Sequence, residues 1–214
     1  MDKTKIIILL FEEITALDAV GPYEVLSRIP GSEVYFVSNE PGIKVSTGGL
    51  KIFAEHSIED VAEADILLIP GGKGVDKFLE NNSVLDWIKK VHASARFTTS
   101  VCTGSLLLGA AGILNGLKAT THWNHIERLS KYGAKVVNER YVQDGKVITS
   151  AGVSAGIDMA LKIVQLIKNE TLAKALQLAI EYDPAPPFNT GSPAKAPKDL
   201  VELVKKASLQ RQNS

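Results

Sequence analysis

Few side chains in this sequence have the capacity for covalent chemistry, and Cys102, the sole cysteine, is foremost. It follows the β-prone stretch Phe97-Thr98-Thr99-Ser100-Val101. It precedes Thr103-Gly104-Ser105-Leu106-Leu107-Leu108-Gly109, which reads as a closely packed helix starting on small residues. A thiol on such a strand-to-helix turn points at the first N–H groups of the helix. Those groups and the helix dipole favour the thiolate, the nucleophilic form. The spacing Ser100-x-Cys102-x-Gly104 echoes a nucleophile elbow with sulfur in place of oxygen. A buried structural cysteine is the competing reading, since free cysteine is among the most buried residue types. The strand, cysteine and small-residue context shifts the balance to a reactive thiol.

Three further features could serve such a thiol. Asp18, in Leu17-Asp18-Ala19-Val20-Gly21-Pro22, reads either as a helix cap or first-turn carboxylate, or as a carboxyl group near the sulfur. In a dry pocket beside negative sulfur its pKa would rise, and it could carry a proton. Gly71 and Gly72, after an apolar stretch ending Ile69-Pro70, give a backbone that approaches a ligand closely, with exposed N–H groups for a developing anion. An ordinary strand-to-loop turn is the alternative there. The run is neither a P-loop nor a dinucleotide fingerprint. His122, in Thr120-Thr121-His122-Trp123-Asn124-His125, could orient or polarise a thiolate. His122 and His125 lack a third and fourth ligand at sensible spacing, so no metal is expected.

The elements that must position these residues follow from hydrophobic patterning. Near-continuous apolar runs at residues 5–11, 33–37, 65–69 and 97–101 read as strands covered on both faces, as in a parallel sheet. Helices are expected over residues 18–28, 84–94, 104–111, 124–131, 156–168 and 171–181. The alternation predicts an α/β fold with a doubly wound, mostly parallel sheet and helices on both faces. Asp144-Gly145 between residues 141–143 and 147–149 signals a short hairpin, and residues 50–54 read as a short added strand. In open parallel sheets, sites form beyond the carboxyl ends of the strands. The loops leading to Asp18, to Gly71-Gly72 and to Cys102 all end there.

Bulk composition narrows the function classes. The 214 residues suit one α/β domain with a single sizeable core. Lys plus Arg and Asp plus Glu number 24 each, so the chain lacks the basic surplus of a nucleic-acid binder. The apolar run Ile6-Ile7-Ile8-Leu9-Leu10-Phe11 is too short to span a membrane, and no signal-peptide cleavage site follows. A single cysteine forms no internal disulfide, and a reducing cytoplasm is the expected compartment. Five of the nine prolines fall in residues 183–197. The expected division is therefore a domain over residues 1–182 and a Pro-rich arm over residues 183–214, lying on the body or on a second subunit. A helix is expected over residues 200–209.

Together these segments identify the chain as similar to the ThiJ/PfpI superfamily. The carrying residues are Leu17-Asp18-Ala19-Val20-Gly21-Pro22, Ile69-Pro70-Gly71-Gly72, Ser100-Val101-Cys102-Thr103-Gly104-Ser105, Ala119-Thr120-Thr121-His122-Trp123 and Ser150-Ala151-Gly152-Val153-Ser154-Ala155-Gly156-Ile157-Asp158. Cys102-Thr103, an Asp at position 18, and the tail Glu181-Tyr182-Asp183-Pro184 with Gly191-Ser192-Pro193 resemble the isocyanide-hydrating branch. The resemblance implies a flavodoxin-like homodimer with no cofactor, acting on a small isocyanide or related electrophile. It implies that Cys102 attacks the terminal isocyanide carbon, that Asp18 supplies or relays the proton, and that a thioimidate is hydrolysed to an N-formamide. Thr103 would act in catalysis beside Cys102. Backbone groups near Gly72 and Thr103 would hold polar atoms, and Ile157 would lie close to the sulfur.

Rival functions remain. Hydrolytic or glyoxalase-like action on small carbonyl compounds in this superfamily usually carries Glu where Asp18 stands. A redox sensor would use the same thiol through sulfenic or sulfinic acid. A ligand-binding domain akin to the sensor halves of AraC-type regulators is the third. Turnover dependent on Cys102 separates the enzymes from the others.

Overall fold

The structure, a computed structural model, describes residues 3–212. The chain divides into two compact units, one ending at Ile180 and the other beginning at Glu181.

The first unit is built on a seven-stranded sheet. Its strands are β1 (Thr4–Leu9), β2 (Ser32–Ser38), β5 (His56–Ser57), β6 (Ile66–Ile69), β7 (Phe97–Val101), β10 (Tyr141–Asp144) and β11 (Val147–Ser150). They lie in the order β10-β11-β7-β6-β1-β2-β5, parallel throughout except for the β10–β11 hairpin. The apolar runs explain the parallel centre. Ile6, Ile7, Ile8, Ile66, Leu67, Leu68 and Ile69 have no exposed surface, so successive side chains are covered on opposite faces. Helices α1 (Ala16–Leu26), α5 (Ala155–Ile167) and α6 (Glu170–Ala179) form one packed group; α2 (Asn82–Ser94), α3 (Gly104–Ala110) and α4 (Ile126–Ser130) form another.

The four expected parallel strands are β1, β2, β6 and β7, and the expected hairpin is β10–β11. Four short strands had no legible signal, β5 among them. The others are β3 (Gly42–Val45), which pairs with β4 (Lys51–Ala54), and β8 (Lys118–Ala119) and β9 (Lys135–Val136), which pair with each other. They are only two to four residues long, too short for periodicity to register. The helix expected over residues 124–131 opens instead as a 3₁₀ turn at Trp123–His125, because His122 Nδ1 accepts the Asn124 N–H at 3.2 Å. Among the described residues, no helix is long and apolar enough to cross a membrane.

The second unit opens with a Pro-rich stretch that has no helix or strand until α7 (Lys198–Gln212). Proline supplies no N–H and fixes φ, which suppresses regular structure there.

The central strands run β2-β1-β6-β7-β11, so chain order reverses between β1 and β6. A crevice outside the carboxyl ends of the strands at such a switch point is where this architecture places ligands. The segments after β1, β6 and β7 hold Asp18, Gly71 and Cys102.

Candidate active site

Cys102 leaves β7 with φ of +55°, in the left-handed region that non-glycine residues rarely occupy. Its backbone is held firmly in that posture. The N–H donates to the Ser150 and Ala151 carbonyls, each at 3.1 Å. The carbonyl accepts the Thr121 hydroxyl at 3.0 Å and the Ser105 hydroxyl at 3.1 Å. The turn therefore has the strained strand-to-helix geometry that its spacing suggests. Gly104 is required just beyond it, because a Cβ there would collide with the Ile69 and Pro70 carbonyls. Without that side chain, α3 starts directly on the end of β6.

Asp18 lies in the first turn of α1 and is fully buried. Its carboxyl leaves its own helix: Oδ2 accepts the Gly71 N–H at 2.9 Å. Oδ1 is buried with no hydrogen-bond partner. Burial raises the Asp18 pKa to about 7, against the opposing pull of the Gly71 N–H and the Cys102 thiol.

The helix-start setting predicts a favoured thiolate at Cys102; the structure corrects this. Burial pushes the Cys102 thiol well above its ordinary range, and the Asp18 carboxylate pushes it further. The Thr103 N–H, the Val153 N–H and the Thr103 hydroxyl act in the opposite direction. α3 has only seven residues, a small dipole source against desolvation and a facing carboxylate. Above about pH 7 the Asp18 carboxylate thus faces a protonated Cys102 thiol and the pair holds one proton; below that pH it holds two.

Gly71 and Gly72 come to this site, but their amides are not free. The Gly71 N–H is engaged by Asp18, and the Gly72 N–H donates to Thr103 Oγ1 at 3.0 Å. The Thr103 hydroxyl also lies 3.3 Å from the Gly72 carbonyl. The segment pairs with Ile14, and Thr15 N–H donates to the Gly71 carbonyl at 2.9 Å. A Cβ on Gly71 would sit 2.6 Å from Thr103 N and Oγ1 and 2.9 Å from Asp18 Oδ2. Glycine here lets three turns close on one another, and the amides hold Asp18 and Thr103 in place.

The donors that do face the sulfur are the Thr103 and Val153 amides and the Thr103 hydroxyl. Val153 was missed by sequence reasoning. It lies in the small-residue turn between β11 and α5 with φ of +42°, a strained value for a β-branched residue. The available signal was its place at the carboxyl end of a strand beside β7, within Ser150-Ala151-Gly152-Val153-Ser154.

Ile157 and Leu17 meet above Gly21, one turn from Asp18. A Gly21 Cβ would lie 3.2 Å from Ile157 Cγ1 and 3.5 Å from Leu17 Cδ1. His122 lies over the same turn as Val153, since a Gly152 Cβ would come 2.5 Å from His122 Cδ2. Burial lowers the His122 pKa, so the ring is neutral and supplies no positive charge to the thiol. Burial, His122 and Arg128 together lower His125 to about 4, against the pull of Asp76. Among the described residues, no group of three or more His, Cys, Asp or Glu side chains is arranged to hold a metal ion.

The site is therefore a buried sulfur on a strained turn, a buried carboxyl group facing it, and the Thr103 and Val153 amides aimed at the sulfur. The chain is similar to several known proteins. The sequence matches the DJ-1/PfpI family over residues 4–166. It is 43% identical to isonitrile hydratase from Pseudomonas putida over 198 residues, covering 92% of this chain and 87% of that protein. It is 28% identical to the glutathione-independent glyoxalase DJR-1.2 of Caenorhabditis elegans, covering 83% of this chain and 97% of that one. A ThiJ/PfpI family protein from Pseudomonas syringae superposes with a TM-score of 0.95 at 34% identity, covering 100% of this chain and 89% of that one. With a family match over most of its length and its fold shared, this chain belongs to the DJ-1/PfpI family.

Proposed function

We propose that this protein is an isocyanide hydratase, converting a small R–N≡C compound and water to the N-substituted formamide R–NH–CHO. The observation that carries the reading is the buried Asp18–Cys102 pair, in a chain 43% identical to an isonitrile hydratase. An isocyanide carbon needs a nucleophile and a proton at the same atom. A thiol and a carboxyl group sharing one proton supply both. Cys102 Sγ attacks the terminal carbon while its proton passes to Asp18 and on to that carbon, leaving a thioimidate, S–CH=N–R. Water then adds to the carbon, the C–S bond breaks, and nitrogen and sulfur end protonated. The Thr103 and Val153 amides stabilise negative charge on sulfur as it forms and leaves. Leu17 and Ile157 receive an apolar R group beside the reacting carbon. The expected assembly is a homodimer with no cofactor; a single-chain mass in light scattering overturns the dimer.

The test is purified protein mixed with an aryl isocyanide, following N-formamide formation beside the Cys102→Ala variant. Turnover by the wild type that vanishes in the variant is the expected result. A wild type that leaves isocyanides untouched but consumes methylglyoxal moves the assignment to the glyoxalase-like branch.

A further inference from the structure

Thr121 lies in a motif singled out by the sequence, and the chemistry above assigns it no role. Its side chain is 1% exposed, and its hydroxyl donates to the Cys102 carbonyl at 3.0 Å from 19 residues along the chain. The Ser105 hydroxyl, also buried, reaches the same carbonyl at 3.1 Å. A serine bonded to a carbonyl three residues back is a common local motif at a helix start. Thr121 has no such local explanation. Its neighbour fixes the segment that delivers it: Thr120 N–H donates to Thr149 Oγ1 at 2.8 Å, and Thr120 Oγ1 to the Glu139 carbonyl at 3.2 Å.

The carbonyl in question shares a planar peptide with the Thr103 N–H, one of the two amides that face the sulfur. Holding the C=O from two sides fixes the direction of the N–H at the other end. Hydrogen bonds received by a C=O also polarise the amide and make its N–H a stronger donor. We propose that Thr121, assisted by Ser105, is a positioning residue that aims and strengthens the Thr103 amide against the Cys102 sulfur.

The inference rests on Cys102 being the nucleophile, but its test needs no isocyanide. Because Cys102 is the sole cysteine, the rate of alkylation by iodoacetamide as a function of pH reports that thiol alone. The titratable group facing the sulfur is Asp18 on α1, which is unchanged in the variants; His122 packs over the adjoining Gly152 turn, and burial lowers its pKa. Thr121→Val keeps the side-chain shape and removes the donor. It is expected to slow alkylation at neutral pH about threefold, with the profile displaced to higher pH. In turnover, kcat falls with little change in KM. Thr121→Ser restores the wild-type profile, and Ser105→Ala shows a smaller displacement in the same sense. A folded Thr121→Val with the wild-type profile overturns the proposal. If that variant does not fold, an unchanged profile in Ser105→Ala overturns it instead. Failure to hydrate isocyanides, with these displacements present, overturns only the substrate assignment.

Discussion

The Val153 amide faces the Cys102 sulfur, and both residues occupy the left-handed region, with φ of +42° and +55°. Two strained residues on neighbouring turns, after β7 and β11, thus meet at one atom. Strain of this kind costs about 1–3 kcal/mol per residue and persists where the surroundings impose it. Here the hydrogen bonds to the Cys102 backbone and the packing of His122 over Gly152 impose it.

Val153→Gly keeps the amide and removes the Cβ that makes φ of +42° costly. The variant is expected to gain about 1 kcal/mol in denaturant unfolding while retaining alkylation of Cys102 at the wild-type rate. Lower stability in this variant counts against strain at the turn.

Asp18→Asn separates stability from chemistry. Folding raises the carboxyl from 3.8 to about 7, so the buried carboxylate destabilises the fold. For a group raised in this direction, the penalty is absent below pH 4, grows as pH rises, and is complete above pH 7. The shift corresponds to a penalty on the order of 4 kcal/mol. An asparagine amide with incomplete partners returns part of this, leaving a net gain of about 1–2 kcal/mol at pH 8. Melting curves at pH 4 and pH 8 check it. A gain at pH 4 that shrinks at pH 8 reverses the sign and rejects the buried carboxylate as its source.

The same pair sets a pH dependence. The active form holds one proton between Asp18 and Cys102, and adding a second inactivates it. The rate kcat/KM should therefore fall as pH drops through about 7, and Asp18→Asn should lose that limb along with most of the turnover. A wild-type profile flat from pH 5 to pH 8 removes Asp18 as the proton carrier.

Gly71→Ala tests the contact among three turns. Its Cβ would fall 2.6 Å from Thr103 N and Oγ1, which are held by backbone and cannot move freely. Overpacking at such a point costs about 1–3 kcal/mol, and the displaced Thr103 and Asp18 should lower kcat more than stability alone explains. A fully active, equally stable variant would show that the turns have slack.

Cys102→Ala should abolish turnover and leave the fold intact, because the sulfur contributes chemistry and the backbone bonds at residue 102 remain. Circular dichroism and formamide assay on the same sample decide it. Retained turnover excludes the sulfur as nucleophile.

Much of the frame was legible before any coordinates. The apolar runs of β1 and β6 read as strands buried on both faces, β7 as a β-prone stretch, and their alternation with helical segments points to a parallel sheet. That in turn brings the loops holding Asp18, Gly71 and Cys102 to one edge. The small residues around Cys102 marked a tight turn, because only small side chains let a helix begin against a strand end.

Tertiary structure alone decided the electrostatics. Whether the Cys102 thiol is raised or lowered depends on how deeply the packed fold buries it and on which carboxyl faces it. Both are long-range packing results that local spacing does not encode. The destinations of the Gly71 and Gly72 amides are likewise set by Asp18 and Thr103, 53 and 31 residues away. The same holds for Thr121 on the Cys102 carbonyl and for Val153 beside the sulfur. Hydrophobic periodicity specifies which elements form and which face each buries. The direction of a single N–H or C=O follows only once several elements are packed together and each buried polar group has found its partner.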